Sequence, residues 1–251
     1  MNKKPFGLDI GATTIKVVWL EREKNGFILK SAYKTPTPPK GMLSESPLDQ
    51  EEMAQVIQKA AFSAKITSKY VNVALPENQV YTKVLEMPIL TDRELKSAIY
   101  WEAEQYIPVP LANVTVTWSI LYKPQKPQPT DKMQVLLVGA PSMLINKYQK
   151  IVGLSGLEIL ALETEILSAV RSLIPSPGEP PTLIVNIGAV STSFAIARLG
   201  IMVFTYSTSL GGTAISRAIE SDFGFTPVQA EEYKKTYGVS EQNLGGKIGK
   251  A

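Results

Sequence analysis

The chain has 251 residues, 44% of them hydrophobic and 20% charged, which is the composition of a globular protein with one large domain or two smaller ones. It contains no histidine and no cysteine. The usual zinc sites and the Ser-His-Asp or Cys-His nucleophilic centres are therefore excluded. Any chemistry must use carboxylates, hydroxyls, lysines and an oxygen-loving cation such as Mg²⁺. The net charge of +3 is spread without a basic block, so nucleic acid is not the expected partner.

The apolar runs of the sequence are strand-sized and stay far below the ~20 residues of a membrane-spanning helix. The N-terminus also lacks the apolar core of a signal peptide. We therefore expect a soluble protein, and the absence of cysteine favours the cytoplasm. If the protein works at a membrane, another molecule must hold it there.

The first third of the chain alternates short apolar runs with turn signals. Asn25-Gly26 is a strong hairpin signal, and Asp49 with Glu52 has the spacing of a capping box that opens a helix. The expected elements are strands at 6–10, 15–20 and 27–33, a helix after residue 49, and strands at 71–75 and 80–85.

The rest of the chain predicts a mixture of helices and strands. Thr91 with Glu94, and Thr226 with Gln229 and Pro227, are further helix starts. The proline-rich stretch 175–181 is the clearest boundary, and 242–251 is expected to be frayed. The expected helices are at 92–106, 142–154, 165–173 and 213–223, with one more after Thr226, and the expected strands at 114–122, 135–138, 157–162, 183–187, 193–198 and 202–207.

One segment of the sequence recurs. Residues 7–14, Gly-Leu-Asp-Ile-Gly-Ala-Thr-Thr, are matched by residues 184–191, Ile-Val-Asn-Ile-Gly-Ala-Val-Ser. Both copies lie in the order strand, glycine turn, strand, turn, strand, and a short polar side chain, Asp9 or Asn186, precedes each Ile-Gly-Ala. The repeat predicts two related halves that face each other.

Each copy has the residue types of a phosphate cradle. A glycine lets the backbone approach a ligand, and N–H groups with Thr or Ser hydroxyls bind an anion. Asp9 is placed to hold a hydrated Mg²⁺, Lys16 adds a positive charge, and the glycine pair before Thr213 opens a helix. A single Asp-x-Gly-x-Thr is more often a plain hairpin turn. The candidate nucleotide-binding residues are Asp9, Gly11, Ala12, Thr13, Thr14, Lys16, Asn186, Gly188, Ala189, Ser191, Gly211, Gly212 and Thr213.

These motifs resemble the phosphate motifs of the actin and hexokinase superfamily. Residues 6–16 are similar to its first motif, 183–193 to its second, and 210–213 to its glycine pair near the nucleotide. Within that superfamily, residues 86–108, together with 211–215 and 229–234, resemble the PilM family of type IV pilus assembly proteins. The related FtsA family matches less well at 86–108.

The resemblance implies an α/β fold, the two-lobed actin-like (ribonuclease H-like) ATPase fold with a small inserted α+β subdomain. It divides the chain into a first-lobe core at 1–85, the inserted subdomain and return to the first lobe at 86–156, and an incomplete second lobe at 157–251. It also implies ATP with Mg²⁺ in the cleft. The resemblance further implies that the protein lies at the cytoplasmic face of the inner membrane. There it would bind the N-terminal tail of a PilN-like membrane protein, near the pilus motor ATPases.

Two residues bear on whether ATP is hydrolysed. Glu165 resembles the acidic residue that orients attacking water in this superfamily, although a carboxylate at a helix N-terminus is also favoured by the helix dipole alone. Asn186 stands where the superfamily usually has a second Asp, and an amide brings no charge and cannot act as a base. We expect ATP binding with weak or absent hydrolysis.

Other functions stay open. An FtsA-like division filament is one, although 242–251 has almost no apolar face for membrane binding. Another open function is that of a fast ATPase, or of a sugar or acid kinase of the same superfamily, although no sequence segment indicates a catalytic Asp in a substrate pocket. For Trp101 and Tyr106, packing in a core is favoured over a binding patch.

Overall fold

A computed structural model of the chain describes residues 4–24, 26–128, 130–173, 180–240 and 246–250. The predicted turn residue Asn25, most of the predicted boundary at 175–181 and most of 242–246 lie outside the described residues. The strands are β1 (Phe6–Ile10), β2 (Thr14–Glu23), β3 (Gly26–Pro36), β4 (Tyr70–Leu75), β5 (Tyr81–Pro88), β6 (Val114–Tyr122), β7 (Lys132–Pro141), β8 (Glu158–Thr164), β9 (Thr182–Ile187), β10 (Thr192–Arg198) and β11 (Ile201–Thr208). The helices are α1 (Pro47–Ser63), α2 (Asp92–Tyr106), α3 (Ser142–Leu154), α4 (Glu165–Leu173), α5 (Gly212–Phe223), α6 (Pro227–Tyr237) and α7 (Lys247–Lys250).

The first lobe is built on a five-stranded sheet in the order β3-β2-β1-β4-β8. The hairpins β1–β2 and β2–β3 are antiparallel, whereas β4 pairs with β1 and β8 in parallel, with α1 between β3 and β4 and α3 before β8. Both helices pack on one face, because alternate strand residues on that face are apolar. The core of the first lobe contains Phe6, Leu8, Ile10, Ile15, Val17, Met53, Ile57, Val71, Val73, Tyr148 and Ile151.

The inserted subdomain is a three-stranded antiparallel sheet, β5-β7-β6, with α2 on one face. Residues of β7 alternate between its two faces. Val135 and Leu137 pack under α2, while Leu136 lies in a cluster with Ile166 and Val170 of α4. The sheet of the subdomain is therefore packed between helix α2 on one face and the second lobe on the other.

The second lobe has a three-stranded antiparallel sheet, β11-β10-β9. Helix α4 packs against this sheet and also against β4 and β8 of the first lobe, so it joins the two lobes. Helices α5, α6 and α7 form a separate cluster around Ile219, Ala230 and Ile248. The prediction that 242–251 is frayed is wrong for 247–250, because burial of Ile248 holds α7 in place.

The repeat is preserved in the structure with the same strand register. Leu8 pairs with Val17, and the equivalent Val185 pairs with Phe194. The environments differ, because α1 and α3 bury Leu8 to 2% exposure whereas Val185 is 45% exposed. Within the described residues, this apolar position is therefore buried in the first copy and exposed in the second.

Two of the three predicted capping boxes are present. Thr91 with Glu94 begins α2, and Thr226 with Gln229 begins α6. The box predicted at Asp49 is wrong, because α1 begins two residues earlier at Pro47. Asp49 lies in the first turn of α1 and accepts a hydrogen bond from the Ser44 hydroxyl instead.

Candidate functional site

The first predicted cradle lies where β1 turns into β2. Asp9 and Lys16 face each other across the two strands, and Asp9 Oδ2 is 2.7 Å from Lys16 Nζ. At the turn, the Gly11 N–H donates to the Thr14 carbonyl at 3.1 Å. A Cβ on Gly11 would be 2.9 Å from that carbonyl oxygen, so only glycine fits. The Thr37 hydroxyl, just after the end of β3, donates to the Gly11 carbonyl at 2.7 Å and holds the turn in place.

The second predicted cradle repeats this geometry between β9 and β10. The Gly188 N–H donates to the Ser191 carbonyl at 2.8 Å, and a Cβ on Gly188 would be 3.1 Å from that oxygen. Asn186 occupies the position of Asp9, and its cross-strand partner is Ser193 rather than a lysine. The first cradle therefore carries a charged pair and the second a neutral one.

The glycine pair 211–212 packs directly on the second cradle. The Gly212 N–H donates to the Gly188 carbonyl at 2.9 Å, and both the N–H and the hydroxyl of Thr213 donate to the Ala189 carbonyl at 2.8 Å. A Cβ on Gly211 would lie 2.6 Å from Ser191 N and 2.7 Å from the Ala189 carbonyl. The first two N–H groups of α5 therefore donate to the backbone of the second cradle. The sequence instead predicts that this helix start contacts an anion.

A charged cluster behind the glycine pair was not predicted from the sequence. Lys234 Nζ on α6 donates to the Gly212 carbonyl at 2.9 Å, to Ser216 Oγ at 2.9 Å and to Glu231 Oε2 at 2.6 Å. Burial raises the pKa of Glu231, but hydrogen bonds from Lys234, Ser216 and Lys235 outweigh it and hold the pKa at about 2. The Glu-x-x-Lys spacing on one helix was the only available signal.

Glu165 lies at the start of α4, close in space to the first cradle. Burial raises its pKa to about 7, the Asp9 charge adds to this, Lys16 opposes it, and Glu77 adds a smaller increase. Burial, followed by the charges of Glu165 and Asp9, also raises the pKa of the Tyr148 hydroxyl on α3. Asp9, Lys16, Glu165 and Tyr148 therefore form one electrostatic group on the first-lobe side.

The structure thus brings the predicted site residues together in two groups. One surrounds the Gly11 turn and includes Glu165, and the other combines the Gly188 turn with the glycine pair. Helix α4, which carries Glu165, packs on both sheets. Among the described residues no three acidic side chains converge on a possible metal position. Asp9 is therefore a single carboxylate, which suits a cation held largely through water.

The aromatic residues of α2 depart from the prediction. Trp101 is 60% exposed, so its expected place in a core is wrong. Tyr106 is 38% exposed, and its hydroxyl donates to the Thr82 carbonyl at 3.0 Å. Tyr100 beside Trp101 is exposed as well. Helix α2 therefore presents aromatic surface to solvent.

Two lobes with the same strand–glycine turn–strand unit, joined by α4 and holding an inserted subdomain, define an actin-like fold. The family model of type IV pilus assembly protein PilM matches residues 7–244. The chain belongs to the PilM family, which confirms the predicted resemblance and fold class.

Solved structures agree with this family. The chain superimposes on a protein of the "PilM-PilN type IV pilus biogenesis complex" with a TM-score of 0.81 and 28% identity, covering 94% of this chain and 70% of that one. The ethanolamine utilization protein EutJ from Carboxydothermus hydrogenoformans gives a TM-score of 0.55 and 16% identity, covering 93% and 61%. The cytoplasmic domain of EpsL from Vibrio cholerae gives 0.51 and 12%, covering 88% and 76%. The latter two show the fold alone.

In the part of the chain that the structure describes, no helix combines the length and apolar character needed to cross a membrane.

Proposed function

We propose that the chain is an ATP-binding scaffold of the type IV pilus assembly platform, which works on the cytoplasmic face of the inner membrane and holds the N-terminal tail of a PilN-like membrane protein. The main support for nucleotide binding is the glycine turn that occurs in both lobes. Gly11 and Gly188 make the same hydrogen bond in the two lobes, each where a Cβ would crowd a carbonyl oxygen.

The residues around the turns fit a nucleotide with Mg²⁺. Backbone without side chains at Gly11 and Gly188 lets phosphate oxygens approach, and the hydroxyls of Thr13, Thr14 and Ser191 add donors. Asp9 would hold the cation through water, and the cation would supply charge neutralisation for the phosphates. Lys16 is already paired with Asp9, so it stands beside the same position.

Weak hydrolysis is expected from the residue at position 186. Burial raises the pKa of Glu165 to about 7, and a carboxyl group with such a pKa can still act as a base near neutral pH, so Glu165 is not the reason. Asn186 replaces the second carboxylate with an amide that has no charge. We therefore propose that nucleotide tunes the scaffold and that turnover is slow.

Removal of Asp9 tests the nucleotide proposal. In calorimetric titration with ATP and Mg²⁺, we expect micromolar binding by the chain and at least a tenfold loss in Asp9→Ala, a change of about 1.4 kcal/mol or more. Asp222→Ala, an exposed carboxylate at the end of α5, is the matched control and should bind like the parent chain. No heat with the parent chain would contradict nucleotide binding, and equal affinity in Asp9→Ala would contradict the placement of the site.

The partner proposal draws on the structural match, since the protein of that complex is paired with PilN. On this chain, the exposed aromatics Tyr100 and Trp101 lie on α2 of the inserted subdomain. Exposed Trp and Tyr are the side chains most often found to anchor a partner. We propose that they contact the tail, beside the first lobe.

Truncation of Trp101 tests that contact. With a labelled peptide of a PilN-like N-terminal tail, fluorescence anisotropy should show at least tenfold weaker binding by Trp101→Ala, because hot-spot aromatics contribute about 2 kcal/mol or more. Phe62→Ala is the control, because Phe62 is also an exposed aromatic but lies on α1 of the first lobe. Equal weakening in both variants, or none in Trp101→Ala, would remove α2 from the proposed contact.

A further inference from the structure

A buried carboxyl group lies where the two lobes and the inserted subdomain meet. Glu77 follows β4 of the first lobe and is only 5% exposed. The hydroxyls around it come from three other strands: Thr164 ends β8, Thr82 belongs to β5, and Thr205 belongs to β11. One side chain therefore touches all three parts of the molecule.

The hydrogen bonds of this junction are incomplete for a carboxylate. The Thr205 hydroxyl donates to Glu77 Oε1 at 3.4 Å, whereas Glu77 Oε2 has no partner. Thr82 Oγ1 is buried and unpartnered too. An ionised Glu77 would therefore keep a charged oxygen buried without a donor, which costs more free energy than leaving a neutral oxygen unpaired.

The charges around the junction also favour the neutral acid. The titratable groups that face Glu77 are the Glu165 carboxyl on α4 and the Tyr106 phenol on α2, and neither brings a positive charge. Among the described residues no lysine or arginine forms an ion pair with Glu77. Burial raises the pKa of Glu77, and the neighbouring hydroxyls of Thr164, Thr82 and Thr205 oppose this without reversing it.

We propose that Glu77 is a proton-operated latch that ties β5 of the inserted subdomain to β11 of the second lobe while it is neutral and loosens that junction when it ionises. A carboxylate at this place is desolvated, lacks a counter-ion and repels Glu165. The strain is relieved when the second lobe moves away and admits water. The latch needs no nucleotide, so it goes beyond the function proposed above.

The dependence of stability on pH is the first test. A carboxyl group with a raised pKa contributes its full stability below the unfolded value, near 4.5, and loses it as pH rises through the folded value. Glu77→Gln has the same shape and carries no charge at any pH. We expect Glu77→Gln to melt about 2–4 °C above the parent chain at pH 8 and level with it at pH 4.5.

Glu231→Gln is the control of opposite sign, because the pKa of Glu231 is held low, at about 2. This variant should melt below the parent chain at pH 8, with a difference that shrinks as pH falls below 4. If Glu77→Gln lowered the melting temperature at pH 8, or shifted it equally at both pH values, a neutral Glu77 would be excluded.

The movement itself is the second test. Since the chain has no cysteine, Lys132→Cys on β7 and Arg198→Cys on β10 provide two unique exposed sites for spin labels, one on each side of the junction. Between pH 5 and pH 8 we expect the distance distribution to broaden and lengthen in the parent chain and to stay narrow in Glu77→Gln. If the distance distribution of the parent chain did not change with pH, or if it changed equally in both proteins, the proposed latch would be overturned.

Discussion

Replacement of Gly211 by alanine is expected to destabilise the second lobe by about 3 kcal/mol or more. The new Cβ would lie 2.6 Å from Ser191 N and 2.7 Å from the Ala189 carbonyl. These are backbone atoms of the second cradle, which Gly212 and Thr213 hold with three further hydrogen bonds, so they cannot move aside without loss of those bonds. Urea denaturation followed by circular dichroism measures the change in the free energy of unfolding.

Gly212→Ala is the matched control, because it adds the same methyl group one residue along. Its nearest neighbours are Lys234 Nζ at 3.4 Å and the Gly188 carbonyl oxygen at 3.7 Å. Both distances are ordinary van der Waals contacts that require no neighbour to move, so we expect a change below about 1 kcal/mol. Equal stability of the two variants would show that the close approach of residue 211 to the cradle does not occur in solution.

Local signals in the sequence were enough to predict most elements of the fold. Helix α2 runs from Asp92 to Tyr106 as predicted, because the capping box at Thr91 fixes its start and Pro108 stops it. The error at Asp49 has a physical reason. Pro47 fits the first helical position, and a carboxylate is as favourable within the first turn as at the cap, so the motif did not locate the boundary.

The candidate site was predictable only in part. Gly11 and Gly188 stand out because the repeat aligns them, and their close carbonyl contacts explain why glycine is needed. The bonds from Lys234 to Gly212 and the junction around Glu77 join residues far apart in sequence. No spacing rule reports such contacts, because tertiary packing creates them.

The free energy of unfolding is expected to fall as pH rises from about 4.5 through 7, and Glu165→Gln should remove much of that fall. The pKa of Glu165 is raised to about 7 by burial and by Asp9, so the folded protein holds this proton more tightly than the unfolded chain. The contribution is complete below pH 4.5 and lost above pH 7. At pH 8, Glu165→Gln should be more stable than the parent chain by about 2 kcal/mol, measured by urea denaturation.

Asp9→Asn separates the two causes of this effect. It removes the negative charge that raises the pKa of Glu165 and frees Lys16, which lowers that pKa. The gain from Glu165→Gln at pH 8 should therefore be smaller in the Asp9→Asn background, because only burial and the smaller effect of Glu77 remain to raise the pKa of Glu165. Glu94→Gln is a control in which the expected change in stability has the opposite sign. Hydrogen bonds from Thr91 lower the pKa of Glu94, so removal of the Glu94 carboxylate should lower the free energy of unfolding at pH 8. An unchanged gain in Asp9→Asn would mean that Glu165 does not sense Asp9. The proposed link between the first cradle and the start of α4 would then have no electrostatic basis.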